Sequence, residues 1–83
     1  MLFRAHILIS LKEGVLDTQG KAVRVSLRNM GYEKLQEVRI GKSIFITVDA
    51  ASLQDAEAQV TGMCDDLLVN PLIETRTVSL EAI

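Results

Sequence analysis

The 83 residues predict a single α+β domain spanning 1–83. Three observations carry this. Apolar side chains alternate strictly near the amino end, two later segments repeat apolar residues at helical spacing behind N-cap signals, and β-rich runs lie between and after those segments.

The first strand is read from Phe3 to Ser10, with Phe3, Ala5, Ile7 and Ile9 on one face and Arg4, His6, Leu8 and Ser10 on the other. Asp17 or Thr18 then opens a helix by accepting hydrogen bonds from its unpaired N–H groups. Ala22, Val23, Leu27 and Met30 form the apolar side of that helix, and Gly31 ends it. Two more strands follow, one with Val38 and Ile40 and one with Ile44, Ile46 and Val48, joined as a hairpin by a tight turn at Gly41-Lys42. Ser52 with Asp55 three residues on is a capping-box pattern. It opens a second helix whose stripe runs through Leu53, Ala56, Val60, Met63, Cys64, Leu67 and Leu68. Asn70-Pro71 stops this helix, because proline lacks an N–H and pushes its predecessor out of the helical region. Ile73 to Leu80 returns to extended, β-rich composition.

The order βαββαβ, with two right-handed crossovers, predicts a ferredoxin-like split βαβ arrangement: a four-stranded antiparallel sheet with two helices on one face. The other face then carries Leu8, Phe45 and Leu35 among Arg4, His6, Glu37, Arg39 and Thr47. Such a mixed apolar and charged surface suits contact with protein, and homo-oligomerisation through the sheet is expected.

Composition narrows the function. Hydrophobic residues make up 48% of the chain, so one core is affordable at this size, and association with other chains would add to a modest stability. The net charge of -2 and pI near 5.2 supply no general attraction to nucleic acid or anionic lipid. The apolar run from Leu2 to Leu11 is broken by Arg4, His6 and Ser10 and is neither a signal peptide nor a membrane span, so a cytoplasmic protein is expected. One cysteine, Cys64, and one histidine, His6, exclude an internal disulfide and a soft-metal cluster.

No residue pattern announces catalysis. Gly20, in the strand-to-helix turn Leu16-Asp17-Thr18-Gln19-Gly20, lacks the glycine density and Lys-Ser/Thr ending of a phosphate loop, and Asp17 places a carboxylate where the anion would sit. Arg24 offers a comparison with acylphosphatases, which share the element order, but no asparagine on the central hairpin is there to orient water. His6 has no nucleophile tied to it by a motif, and Cys64 lies inside an apolar stripe. RNA recognition would need aromatic platforms, and Phe45 alone is suitably placed. An amino-acid-binding regulatory domain of this topology remains as an alternative, with a small acylphosphatase-like hydrolase behind it. Helix charge is asymmetric: Lys21, Arg24 and Arg28 surround Val25 on the first, while Asp55, Asp65 and Asp66 flank Gly62 on the second. Glycine within a helix costs about 1 kcal/mol relative to alanine, and close approach of another backbone is one reason to keep it. Val25 and Gly62 are therefore contact candidates.

The run Leu11-Lys12-Glu13-Gly14-Val15-Leu16-Asp17-Thr18-Gln19-Gly20-Lys21-Ala22-Val23, the later Val38-Arg39-Ile40-Gly41-Lys42 and the segment Met63-Cys64-Asp65-Asp66-Leu67-Leu68-Val69-Asn70 together resemble the PurS family, the small subunit of phosphoribosylformylglycinamidine (FGAM) synthase. Thr18 stands where that family usually has proline. The resemblance implies a subunit without catalytic, cofactor or metal residues, acting in de novo purine biosynthesis. It implies two partners, a glutaminase subunit that releases ammonia and a large synthetase subunit that uses ATP and Mg to install it. Between them this chain would bridge and assist ammonia transfer, alone forming a homodimer or homotetramer. On the family pattern the first loop, with Asp17, Gln19 and Gly20, and the Arg39, Gly41 and Lys42 segment are the expected partner contacts.

Overall fold

A computed structural model describes residues 1–83. It contains β1 (Leu2–Leu11), α1 (Thr18–Asn29), β2 (Lys42–Asp49), α2 (Leu53–Met63), a π-helical turn (Cys64–Leu68) and β3 (Glu74–Ala82). Both β2 and β3 pair antiparallel with β1, in the order β2-β1-β3, so β1 is central and paired on both edges.

The alternation in β1 is realised: Phe3, Ala5, Ile7 and Ile9 are all buried. They meet Ala56, Val60 and Cys64 of α2 and its π turn, with Val48, Ala50 and Val69 completing the core. α2 begins as expected, its Ser52 side chain accepting from the Asp55 N–H at 3.1 Å while Asp55 accepts from the Ala51 N–H at 3.1 Å. The single stripe expected through Leu68 is interrupted. The Val69 N–H reaches back five residues to the Cys64 carbonyl at 3.0 Å, and the widened turn leaves Leu67 84% exposed while Val69 is buried.

α1 also has the expected limits. Asp17 caps its start, and at its end Gly31 takes φ 109° while the Gly31 and Tyr32 N–H groups bond to the Arg28 and Leu27 carbonyls. This is a Schellman ending, which needs a residue that tolerates the left-handed region at Gly31.

Two expectations are corrected. The sheet has three strands and not four: residues 32–41 form a strap of turns and irregular backbone, so Val38 and Ile40 belong to no strand and Gly41-Lys42 to no hairpin turn. The strap is instead tied to the first loop, where Asp17 takes the Ile40 N–H and Arg39 takes three loop carbonyls, leaving it unable to run along the free edge of β2. Leu35, Glu37 and Arg39 therefore lie outside the sheet.

The second correction concerns α1, which does not pack on the sheet; α2 alone covers it. The Cα envelope measures 52 × 27 × 14 Å with a radius of gyration of 16.6 Å. A compact chain of this length would have about 12 Å. Ala22, Val23 and Met30, expected to face the sheet, are exposed, and Ile44 and Ile46 on β2 are only half-buried.

Candidate functional site

The residues singled out in the first loop and in the strap meet at one junction. Asp17 is buried there, and its two carboxylate oxygens have different tasks. Oδ1 accepts the Gly20 N–H at 2.8 Å, capping α1, while Oδ2 accepts the Ile40 N–H at 2.7 Å, 23 positions away. These two N–H donors, with a smaller contribution from the Arg39 guanidinium, hold the Asp17 carboxyl below its ordinary range. Arg39 lies opposite and binds backbone only. Its Nη2 donates to the Leu11 and Lys12 carbonyls, both at 3.2 Å, and its Nη1 to the Val15 carbonyl at 3.4 Å.

Close backbone packing completes the junction and explains two glycines. A Cβ on Gly20 would stand 2.7 Å from Asp17 Oδ2 and 2.9 Å from its Cγ, and closer still to the Val38 carbonyl. A Cβ on Gly41 would stand 2.6 Å from the Ile9 carbonyl. The turn at Gly20 is thus a place where α1, strap and loop touch, with the Gly20 N–H already taken by a carboxylate. Beside it Lys42 pairs with Glu74 at 3.2 Å, and Glu74 Oε1 accepts the Asn70 N–H at 2.8 Å, which with Lys42 lowers the Glu74 carboxyl below its usual range.

The remaining candidates lie apart. Gln19 is exposed on the rim of a groove of about 290 Å³ that it shares with Thr18, Ile40 and Lys42. Val25 is exposed on α1. Gly62 faces open space, with nothing within 4 Å of its Cβ position, so no backbone of this chain accounts for it. Arg24 donates to the Gln36 carbonyl at 3.3 Å and braces the strap. Arg76 and Asp65 pair at 2.6 Å between β3 and the π turn, and the carboxylate holds the guanidinium more firmly charged.

The open sheet face contains one arrangement that no sequence motif signalled. His6 stacks on Phe45, centroids 4.2 Å apart and planes 7° from parallel, and its Nε2 lies 2.6 Å from Ser43 Oγ. Only strand pairing reveals this: His6 is opposite Phe45, and Ser43 lies two residues further on the same face. The pair stands on the open sheet face beside Arg4, Ser79 and Glu81. Cys64 is fully buried, and no three His, Cys, Asp or Glu side chains are grouped as metal ligands. No helix is long and apolar enough to cross a membrane.

The chain thus presents a braced junction, a helix standing clear of its sheet and a sheet face on which Leu8 and Phe45 stand among polar and charged residues. Comparison with known proteins identifies its family. The profile of the family described as PurS, phosphoribosylformylglycinamidine (FGAM) synthase, matches residues 4–82. The chain belongs to the PurS family. It is 38% identical to the FGAM synthase subunit PurS of Bacillus subtilis over 82 residues, covering 99% of this chain and 96% of that one. It is 36% identical to the Archaeoglobus fulgidus subunit over 74 residues, covering 89% and 92%. Among solved structures, B. subtilis PurS superposes with a TM-score of 0.86 at 40% identity, covering 96% of this chain and 99% of that one. A chain in the structure of PurLQS from Thermotoga maritima superposes with a TM-score of 0.87 at 31% identity, covering 98% and 99%. PurS is a subunit of FGAM synthase in purine biosynthesis, and the three-stranded sheet with two helices matches the family's solved structures.

Proposed function

We propose that this PurS chain is a non-catalytic adaptor that bridges the glutaminase and ATP-dependent synthetase subunits of FGAM synthase and assists ammonia transfer between them. The observation that carries this is its end-to-end likeness to a chain of the T. maritima PurLQS assembly. Its own chemistry supports the same reading, because the groups a catalyst would use are engaged elsewhere. Asp17 caps and ties backbone, Arg39 binds carbonyls, and Cys64 is core. ATP and Mg would be used by the synthetase, with no cofactor bound by this chain, and the complex would work in the cytoplasm.

Ammonia near neutral pH is mostly protonated and then no nucleophile, so a passage closed to water preserves the reactive form. A subunit that holds two active sites in register supplies that closure through shape alone. The chain would itself be a homodimer or homotetramer joined through the open sheet face, where Leu8 is 47% and Phe45 65% exposed.

The test is reconstitution from the three purified subunits with glutamine or ammonium as nitrogen donor. Omitting this chain should abolish glutamine-dependent turnover and leave ammonium-dependent turnover in place. Equal glutamine-dependent rates with and without it would overturn the reading.

A further inference from the structure

The geometry points to Asp17 and Arg39 as positioning residues that brace α1 at a fixed angle to the sheet, so that the pair governs the coupling of glutamine hydrolysis to product formation. The inference rests on the adaptor reading above and gives these two residues an internal bracing role within it.

α1 has no support from the sheet, so its direction is decided at its base. There the first loop, the strap and the end of β1 are tied by five hydrogen bonds from two side chains: two N–H groups to Asp17, and Arg39 to three carbonyls. The two backbone approaches at Gly20 and Gly41 lie in the same place. Removing either side chain leaves α1 held by fewer ties, among them the single Arg24 bond to the Gln36 carbonyl. The lever is long: α1 has 12 residues. At 1.5 Å per residue it spans about 18 Å, and a swing of about 20° would carry its tip by about 6 Å. Displacement of about 1 Å already costs large factors in steps that depend on alignment. Asp17 is buried, and the two terminal nitrogens of Arg39 are spent on loop carbonyls although the residue itself is exposed.

The experiment uses the reconstituted three-subunit complex carrying Asp17→Asn or Arg39→Lys. The asparagine cannot accept both N–H groups as a carboxylate does, and the ammonium keeps the charge but cannot span three carbonyls. Each variant should keep ammonium-dependent turnover within about twofold, lose glutamine-dependent turnover by about tenfold, and release more than one glutamate per amidine formed. In parallel, spin labels at Ser26→Cys on α1 and Glu57→Cys on α2, in a Cys64→Ala background diluted with unlabelled chain, should show a broadened distance distribution in each variant. A sharp, wild-type distribution overturns the inference, and so does a broadened one with coupling intact. Parallel loss of both activities with the melting temperature would mean the residues only stabilise the fold, which also overturns it. If omission of the whole chain leaves glutamine use unaffected, the adaptor reading fails separately.

Discussion

Alanine at Gly20 and alanine at Gly62 should move stability in opposite directions, although both glycines sit in helices and both changes add one methyl group. In each case the helix gains about 0.5–1 kcal/mol, because alanine loses less backbone entropy on folding than glycine. At Gly62 nothing lies within 4 Å of the new Cβ, so the gain is kept. At Gly20 the Cβ would meet Asp17 Oδ2 at 2.7 Å and Cγ at 2.9 Å and press on the Val38 carbonyl. These atoms cannot retreat freely, because the same carboxylate holds the Gly20 and Ile40 N–H groups. Overfilling a packed site costs about 1–3 kcal/mol. The helical gain is common to both variants and cancels between them, so their stabilities should differ by that amount. For a domain of this size the melting temperature of Gly62→Ala should exceed that of Gly20→Ala by at least about 4 °C. Thermal unfolding followed by circular dichroism at one fixed protein concentration measures this, since association shifts apparent stability. Equal melting temperatures, or a higher one for Gly20→Ala, would refute the packing assigned to the junction.

Acid should erase the contribution of Asp17. Its carboxyl is held below the ordinary 3.8, so its stabilisation is complete above that value and is lost as pH falls toward the folded-state pKa. Asp17→Asn should therefore be less stable than wild type at neutral pH, with the difference narrowing as pH falls below the ordinary carboxylate value, as denaturant titrations at several pH values would reveal; a constant difference would contradict the assignment. The Cys64 thiol, fully buried, should stay unreactive toward a soluble disulfide reagent until the chain unfolds, and rapid stoichiometric labelling of native protein would argue against its place in the core. Phe45→Glu puts a charge on the open sheet face at a position 65% exposed, so it should leave the fold intact and lower the association state measured by sedimentation; an unchanged association state would move the interface elsewhere.

Much of the fold was legible because its signals are local. The alternation of Phe3, Ala5, Ile7 and Ile9 predicted one buried face of β1, and all four are core. Ser52 with Asp55, and Gly31, marked helix ends through bonds closed within a few residues. The Val38-Ile40 strand was misread from a short alternation that strands and irregular strap share, and its fate was settled 23 positions away, at Asp17. The π turn left no periodic trace, and the neighbours Ser43, His6 and Phe45 met only through β1–β2 register. Of the candidate site, Asp17, Gly20, Arg39 and Gly41 were named by family pattern and do converge. Their convergence on each other depends on hydrogen bonds and packing that no single segment encodes.

By itself the sequence determined where both helices and the strands β1, β2 and β3 lie, which face of β1 is apolar, and the family. Periodicity and capping arise from neighbours within a turn or two, and the resemblance lies in runs of adjacent residues. Tertiary structure alone decided that the sheet has three strands and that α1 stands clear of it. Those outcomes hang on contacts between distant residues competing for the same backbone groups, and a carboxylate at Asp17 that captures the Ile40 N–H leaves that group unavailable to a strand.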